Sequence, residues 1–206
     1  TAVLVDICGY TEFMLAHGRD VAHKVGREVF LFAKDVFEKN GLELFKETGD
    51  NVSFIGGMAD ESVDPSELAN EALFAICQLM RSIDKMHEIL TSKNLPIVNI
   101  KISAVIGDHI CALNALEERH QFDITGEGMI VAKRLEEGMN AEFQKNYGTN
   151  VAMISRDLFI ACYNVLMRKQ FEDRYTVIAK NHIVYDAHIM VSKVQKEELS
   201  PIDSAG

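Results

Sequence analysis

The sequence predicts an α+β domain with a ferredoxin-like βαββαβ core, because its predicted elements follow the order strand, helix, hairpin, helix, strand. Short β-branched runs alternate with longer segments whose apolar residues recur at helical spacing. The 206 residues, 48% of them hydrophobic, suffice for one such domain with a full core. Additional strands and a helix are expected after the core. Residues 1–193 should form this domain, and residues 194–206, which are rich in charged residues, a flexible tail.

The first half of the predicted core begins with a short apolar strand. Val3, Leu4 and Val5 form this strand, Asp6 stands at its end, and Gly9 allows a sharp turn. A helix is predicted next, and its apolar residues keep the helical period up to Asn40-Gly41. The elements of this half are a strand at 3–5, a helix at 20–40, and a hairpin with strands at 42–46 and 51–55 and its turn at 47–50.

The second half repeats the pattern of a long helix followed by a strand. Pro65 stands near the helix start, where proline is well tolerated, and the following strand is rich in β-branched residues. The predicted elements are a helix at 65–91, strands at 97–106, 109–113 and 120–125, a helix at 127–139, a strand at 149–154, a helix at 156–169, and a hairpin over 174–191 that turns at 181–182.

Composition limits the function classes. The formal net charge of −10 argues against general nucleic-acid binding, which needs a basic face. The four cysteines lie far apart without a Cys-x-x-Cys pair, which indicates a reducing, cytoplasmic compartment. No apolar run has the length of a membrane span. The chain begins inside its first predicted strand without an initiator Met, so we expect it to be a fragment of a longer protein.

Two carboxylates are candidates for a metal site. Asp50, in the predicted hairpin turn, follows Asp6 by 44 positions, enough for one helix between their strands. Carboxylates that converge from neighbouring strands suit Mg²⁺ or Mn²⁺, which prefer oxygen ligands and share them with substrate phosphates. Each residue alone also fits a simpler role, Asp6 as a cap of the strand-to-helix turn and Asp50 as an ordinary turn residue.

Three ordered segments carry a resemblance to a known family. They are Asp6-Ile-Cys-Gly-Tyr-Thr11, Lys46-Glu-Thr-Gly-Asp50, and Phe122-Asp-Ile-Thr-Gly126 with the helix that runs to Arg134. Together they resemble the class III adenylate/guanylate cyclase catalytic domain, over roughly residues 3–155. The resemblance implies a phosphorus–oxygen lyase that converts ATP to 3′,5′-cyclic AMP and pyrophosphate with Mg²⁺ or Mn²⁺.

The resemblance also implies roles for individual residues. Asp6 and Asp50 match the metal-binding aspartates, and Arg134 matches an arginine that stabilises the transition state. Lys46 and Asp123 match the pair that reads adenine, since a cation can donate to N1 and a carboxylate can accept from the 6-amino group. Guanylate cyclases of the family usually place Glu and Cys there. The backbone of Ile7, Cys8 and Gly9 would contact metal and phosphates.

The family's site forms between two protomers, so the resemblance implies a homodimer in which each protomer supplies part of each site. Two features depart from the family. Ile130 stands where an asparagine usually positions the ribose, and the segment after Gly107 has fewer glycines than usual. Lys180 matches a triphosphate-binding lysine only loosely, and Arg134 could instead pair with Glu137 on its own helix face.

Two alternatives therefore remain beside an adenylate cyclase. The first is a degenerate cyclase-like domain that binds nucleotide, regulates or dimerises without turnover. The second is a metal-dependent nucleotidyl enzyme on the same core with another substrate.

Overall fold

A computed structural model describes residues 1–57, 62–107, 110–114, 121–171, 173–178 and 183–192, with the backbone alone described for 110–114 and 121–125. The tail at 194–206, Lys180, the turn at 181–182 and the side chain of Asp123 lie outside the described residues. No helix in the described part of the chain is both long and apolar enough to cross a membrane.

The elements of the first half are β1 (Ala2–Ile7), α1 (Tyr10–His17), α2 (Arg19–Glu38), β2 (Glu43–Thr48), β3 (Asn51–Ile55), α3 (Pro65–Arg81), α4 (Ile83–Ser92) and β4 (Ile100–Val105). The second half contains β5 (Ile110–Asn114), β6 (Gln121–Thr125), α5 (Glu127–Gly138), α6 (Ala141–Tyr147), β7 (Val151–Ser155), α7 (Arg156–Ala161), α8 (Val165–Arg168), a 3₁₀ turn (Lys169–Phe171), β8 (Asp173–Ile178) and β9 (Val184–Val191).

Seven strands form one sheet in the order β2-β3-β1-β4-β7-β9-β8, and β5 and β6 form a separate hairpin. Strand β1 is antiparallel to both β3 and β4, whereas β4 and β7 are parallel. The order β2-β3-β1-β4, with helices between β1 and β2 and between β3 and β4, is the ferredoxin-like arrangement. The predicted fold class is confirmed, including the strands and helices added after the core.

The sheet is covered on both faces by apolar side chains. Helices α2, α3 and α4 bury Phe37, Leu73 and Leu90 in the larger cluster, which also holds Val3 and Val5 of β1. On the other face, Ala132 and Leu135 of α5 and Phe143 of α6 belong to a smaller cluster with Ala2 and Leu4 of β1. Successive side chains of a strand point to opposite faces, so Asp6 faces the α5 side with Ala2 and Leu4.

Beyond small shifts at the ends of elements, two helices were not expected and two expected helices are divided. Helix α1 was not predicted, and it buries no residue, so it has no apolar periodicity to detect. The predicted helix at 65–91 is two helices, because Ser82 leaves helical geometry at φ −105° and ψ 13°. Helix α6, capped by Asn140, was also not predicted. The predicted helix at 156–169 divides at Asn164, whose side chain caps α8.

Candidate active site

Asp6 lies within β1 rather than after its end, because pairing with β4 extends the strand to Ile7. Its position is opposite Asn51 of β3 and Lys101 of β4. The residue is 6% exposed. An ionised carboxylate this buried needs a counter-charge or strong hydrogen bonds, since moving an unpaired ion from water into the protein costs roughly several kcal/mol.

Asp50 lies beside the end of β1, as the sequence predicted. Its turn joins β2 to β3, and the Ile7 N–H donates to the Asp50 carbonyl oxygen at 3.1 Å. The half-buried Asp50 carboxylate is also close enough for its charge to raise the pKa of Asp6. The two candidate metal-binding residues are therefore held together by the backbone of the hairpin.

The segment between β1 and α1 is fixed by contacts within the chain. The Cys8 N–H donates to the Asn99 carbonyl oxygen at 2.9 Å, and the Cys8 thiol donates to the Thr149 carbonyl oxygen at 3.3 Å. Gly9 adopts φ +63°, a left-handed conformation that favours glycine. Since the amides of Ile7 and Cys8 already donate within the protein, a phosphate would depend on other groups of this segment.

A half-buried lysine is paired with the Asp6 carboxylate. Lys101 Nζ lies 3.2 Å from Asp6 Oδ2 and also contacts Glu136 Oε1 of α5. Lys133 Nζ, from the same helix, contacts Glu136 Oε2. Glu136 is 6% exposed. The result is an ionic network that connects β1, β4 and α5 beneath the helix.

The pKa values of Asp6, Lys101 and Glu136 follow from burial and pairing. Burial raises the pKa of Asp6 to about 6, and the nearby Lys101 ammonium offsets this only in part. Burial lowers the pKa of Lys101, but the hydrogen bond to Glu136 and the charge of Asp6 outweigh burial and raise it. Burial raises the pKa of Glu136, but hydrogen bonds from Lys101 and Lys133 outweigh burial and lower it. Lys101 is thus firmly cationic and Glu136 firmly anionic.

Sequence reasoning did not identify Lys101 and Glu136 as site residues, although the sequence contained a signal for each. Lys101 stands between Ile100 and Ile102 in a predicted central strand, where a charge is uncommon. Glu136 follows Ala132 by four positions on the buried stripe of α5. A charged residue at a core position of a helix indicates a buried partner, but the period alone does not say which one.

Lys46 and Asp123, the two residues predicted to read adenine, belong to β2 and β6. Lys46 is exposed on β2, at the edge of the sheet, and its carbonyl oxygen accepts from the Ser53 hydroxyl at 3.2 Å. The backbone of Asp123 lies in β6, opposite Ala112 of β5.

Arg134 lies on the solvent side of α5. Its Nη1 atom is 2.6 Å from Glu137 Oε2, the pairing that the sequence offered as the simpler alternative. Residues two positions apart do not share a helix face, so Arg134 points away from Glu136 and from Asp6. Ile130, one turn earlier, shares this outer face and is 57% exposed. One protomer therefore does not bring Arg134 to Asp6 and Asp50.

The donor set fits Mg²⁺ or Mn²⁺ if the substrate shares the coordination. Among the residues that the structure describes, no group of three or more His, Cys, Asp or Glu side chains is placed to hold a metal ion. Asp6 and Asp50 offer two carboxylates, the number that Mg²⁺ commonly takes from a protein while phosphates and waters complete its octahedron.

Comparison with known proteins identifies the fold. No family model and no curated protein sequence matches the chain. Among solved structures, the guanylyl cyclase Cya2 is 16% identical with a TM-score of 0.74, over 93% of this chain and 92% of that one. The adenylyl cyclase CyaB from P. aeruginosa is 14% identical with a TM-score of 0.73, over 93% of each chain.

A third similar structure is the guanylate cyclase domain of RhGC from Catenaria anguillulae in complex with GTP. It is 13% identical with a TM-score of 0.71, over 93% of this chain and 94% of that one. The chain thus has the fold of the class III adenylyl and guanylyl cyclase catalytic domains, and the resemblance drawn from the three motifs is confirmed at the level of the fold.

Proposed function

We propose that this chain is the catalytic domain of an adenylate cyclase, which converts ATP to 3′,5′-cyclic AMP and pyrophosphate at a homodimer interface. The observation that carries the proposal is the pair Asp6 and Asp50, which the Ile7 to Asp50 backbone hydrogen bond holds at the end of β1. The pair lies in a fold that matches nucleotide cyclases over most of its length. Fold alone does not define an activity, so the proposal depends on this pair.

The reaction is an intramolecular phosphoryl transfer. The ribose 3′-hydroxyl releases its proton to solvent, and its oxygen attacks the α-phosphate in line to form the O3′–Pα bond. The bond from Pα to the bridging oxygen breaks, and pyrophosphate leaves with that oxygen. Asp6 and Asp50 would hold Mg²⁺ or Mn²⁺ through their carboxylate oxygens. A bound divalent ion supplies positive charge that favours ionisation of the 3′-hydroxyl and offsets charge on the phosphates.

Lys46 and Asp123 would select adenine. An ammonium group donates to the N1 atom of adenine, and a carboxylate accepts from its 6-amino group. Guanine offers a donor at N1 and an acceptor at O6, so the same two side chains would leave both of its groups mismatched. An unpaired polar group in a binding pocket is costly, which makes this mismatch a strong source of selectivity.

The placement of Arg134 supports a site shared by two protomers. Arg134 and the exposed Ile130 lie on the outer face of α5, whereas Asp6 lies under the inner face. A second copy related to the first by a two-fold axis would present its Arg134 to the aspartates of the first, and the first would present its Arg134 to those of the second. Most homo-oligomers close by two-fold symmetry, which here would give two identical sites.

A degenerate, nucleotide-binding domain without turnover is the second candidate. Ile130 favours it, because an apolar side chain cannot hydrogen-bond the ribose as the family's asparagine does. The ion pair between Lys101 and Asp6 also favours the degenerate domain, because a cation already neutralises the carboxylate that would bind the metal.

Formation of cyclic AMP from ATP and Mn²⁺ tests the proposal. We expect the wild-type chain to form product and Asp50→Ala to lose at least about a hundredfold in rate, since one of two metal-binding carboxylates is gone. Glu47→Ala, an exposed acid in the same hairpin, is the matched control and should retain the rate. A folded wild-type dimer that binds ATP but forms no product would favour the degenerate domain.

A further inference from the structure

The four charges of the ionic network that includes Asp6 cancel one another. Asp6 and Glu136 are buried carboxylates, and Lys101 and Lys133 are the ammonium groups that contact them. Lys101 bridges the two acids, with its Nζ atom in contact with Glu136 and 3.2 Å from Asp6. These four groups are therefore neutral together, and the half-buried Asp50 carboxylate adds one negative charge nearby. Lys101 lies where a metal ion would neutralise Asp6.

A divalent cation on Asp6 would disturb this balance. It would lie within a few ångströms of the Lys101 ammonium, and two like charges at such a distance repel strongly in a half-buried site. Lys101 has a second buried partner in Glu136, so it can leave Asp6 and keep one full ion pair. Lys133, whose side chain is 49% exposed, can then release Glu136 to solvent at little cost.

We propose that Lys101 is an internal counter-ion that competes with the divalent cation for Asp6. Without metal it neutralises Asp6, and when metal binds it moves fully to Glu136. Lys101 thereby sets the metal affinity of the site, and Glu136 is a positioning residue that holds the displaced ammonium. This inference rests on the proposed function, since it takes Asp6 to be a metal-binding residue.

The proposal predicts opposite effects for the two partners of the ion pair. Lys101→Met removes the competing charge and should tighten Mn²⁺ binding at least about tenfold. Glu136→Gln removes the alternative partner, keeps Lys101 on Asp6, and should weaken Mn²⁺ binding about tenfold. A purely structural role for the pair would weaken binding in both variants.

The measurement is Mn²⁺ binding to the metal-free protein without nucleotide, followed by electron paramagnetic resonance of free Mn²⁺. Lys85→Met makes the same chemical change on α4, on the other side of the sheet, and should leave the affinity within about twofold. Thermal melting of each variant with and without Mn²⁺ provides a second readout. Lys101→Met should melt lower than wild type without metal and gain more from Mn²⁺, because its two buried acids have lost their shared partner.

The outcomes separate this inference from the proposed function. Wild-type binding that Asp6→Asn abolishes, with no tightening in Lys101→Met, would overturn the inference and leave the metal site intact. Undetectable binding in wild type beside measurable binding in Lys101→Met would support the inference in its strongest form. Undetectable binding in both proteins would overturn the inference alone, because the proposed function lets substrate phosphates complete the coordination and is tested by cyclic AMP formation.

Discussion

At the scale of single residues, Lys46 and Asp123 carry the proposed choice of adenine over guanine. The double change Lys46→Glu with Asp123→Cys reverses the donor and acceptor pattern toward guanine. We expect the ratio of kcat/KM for ATP to that for GTP to fall at least about a hundredfold, because each mismatched hydrogen bond weakens transition-state binding. Rates of cyclic nucleotide formation from each substrate measure this ratio.

The single variants of this pair serve as controls. Lys46→Glu and Asp123→Cys each leave one matched and one mismatched group, so each should be poor with both nucleotides. An unchanged preference in the double variant would show that other residues read the purine.

Ile130 is expected to limit kcat, because it offers no polar group to the ribose. Its side chain is 57% exposed on the outer face of α5, on the same side as Arg134. Ile130→Asn supplies an amide at the position where the family positions the ribose, and we expect kcat to rise about tenfold with little change in KM. Ile130→Leu, which adds no polar group, should leave kcat unchanged. Equal kcat values for the three proteins would mean that another group already positions the ribose.

The candidate site was predictable from sequence where its signals are local. Asp6 and Asp50 each sit in a short motif, and a strand end and a hairpin turn bring such residues together. Lys101 and Glu136 are 35 positions apart in sequence and form an ion pair between a strand and a helix. This pair depends on how α5 packs on the sheet, which no local sequence pattern specifies. The outward direction of Arg134 likewise depends on which face of α5 is buried.

At the scale of elements, α2 and the β2–β3 hairpin must stay packed for Asp50 to remain beside Asp6. Phe54 of β3 is 0% exposed, and its ring stacks on Phe37 of α2 with centroids 4.5 Å apart. Phe54→Ala should lower the free energy of unfolding by about 3–5 kcal/mol through lost burial and a residual cavity. Chemical denaturation measures this change.

Phe74 of α3 gives a matched control for this substitution, because the same side chain is 48% exposed there. Phe74→Ala should cost less than about 1 kcal/mol, as expected for a surface change that leaves no cavity. Equal losses in the two variants would contradict the assignment of Phe54 to the core.

The element order was predictable because most strands and helices carry a periodic apolar pattern. Helix α2 buries Val25, Val29 and Val36 at helical spacing, so its existence and approximate limits follow from the sequence. Helix α1 buries nothing and could not be found in this way. The break at Ser82 was also hidden, because α3 and α4 keep their apolar residues on a common period across it.

At the scale of the whole molecule, the two faces of α5 separate the proposed catalytic groups. The inner face buries Glu136 and reaches Asp6 through Lys101, whereas the outer face carries Arg134. A complete site under the proposed function therefore needs two copies of the chain. Each copy would supply the aspartates of one site and the arginine of the other.

The most direct test is a mixing experiment with two variants that each lack one half of the site. Asp50→Ala and Arg134→Ala should each form almost no cyclic AMP from ATP and Mn²⁺. After subunit exchange, an equal mixture should recover about a quarter of the wild-type rate, since half of the dimers are mixed and each mixed dimer keeps one intact site. A mixture no more active than its two components, beside an active wild-type protein with confirmed subunit exchange, would contradict a site shared between protomers.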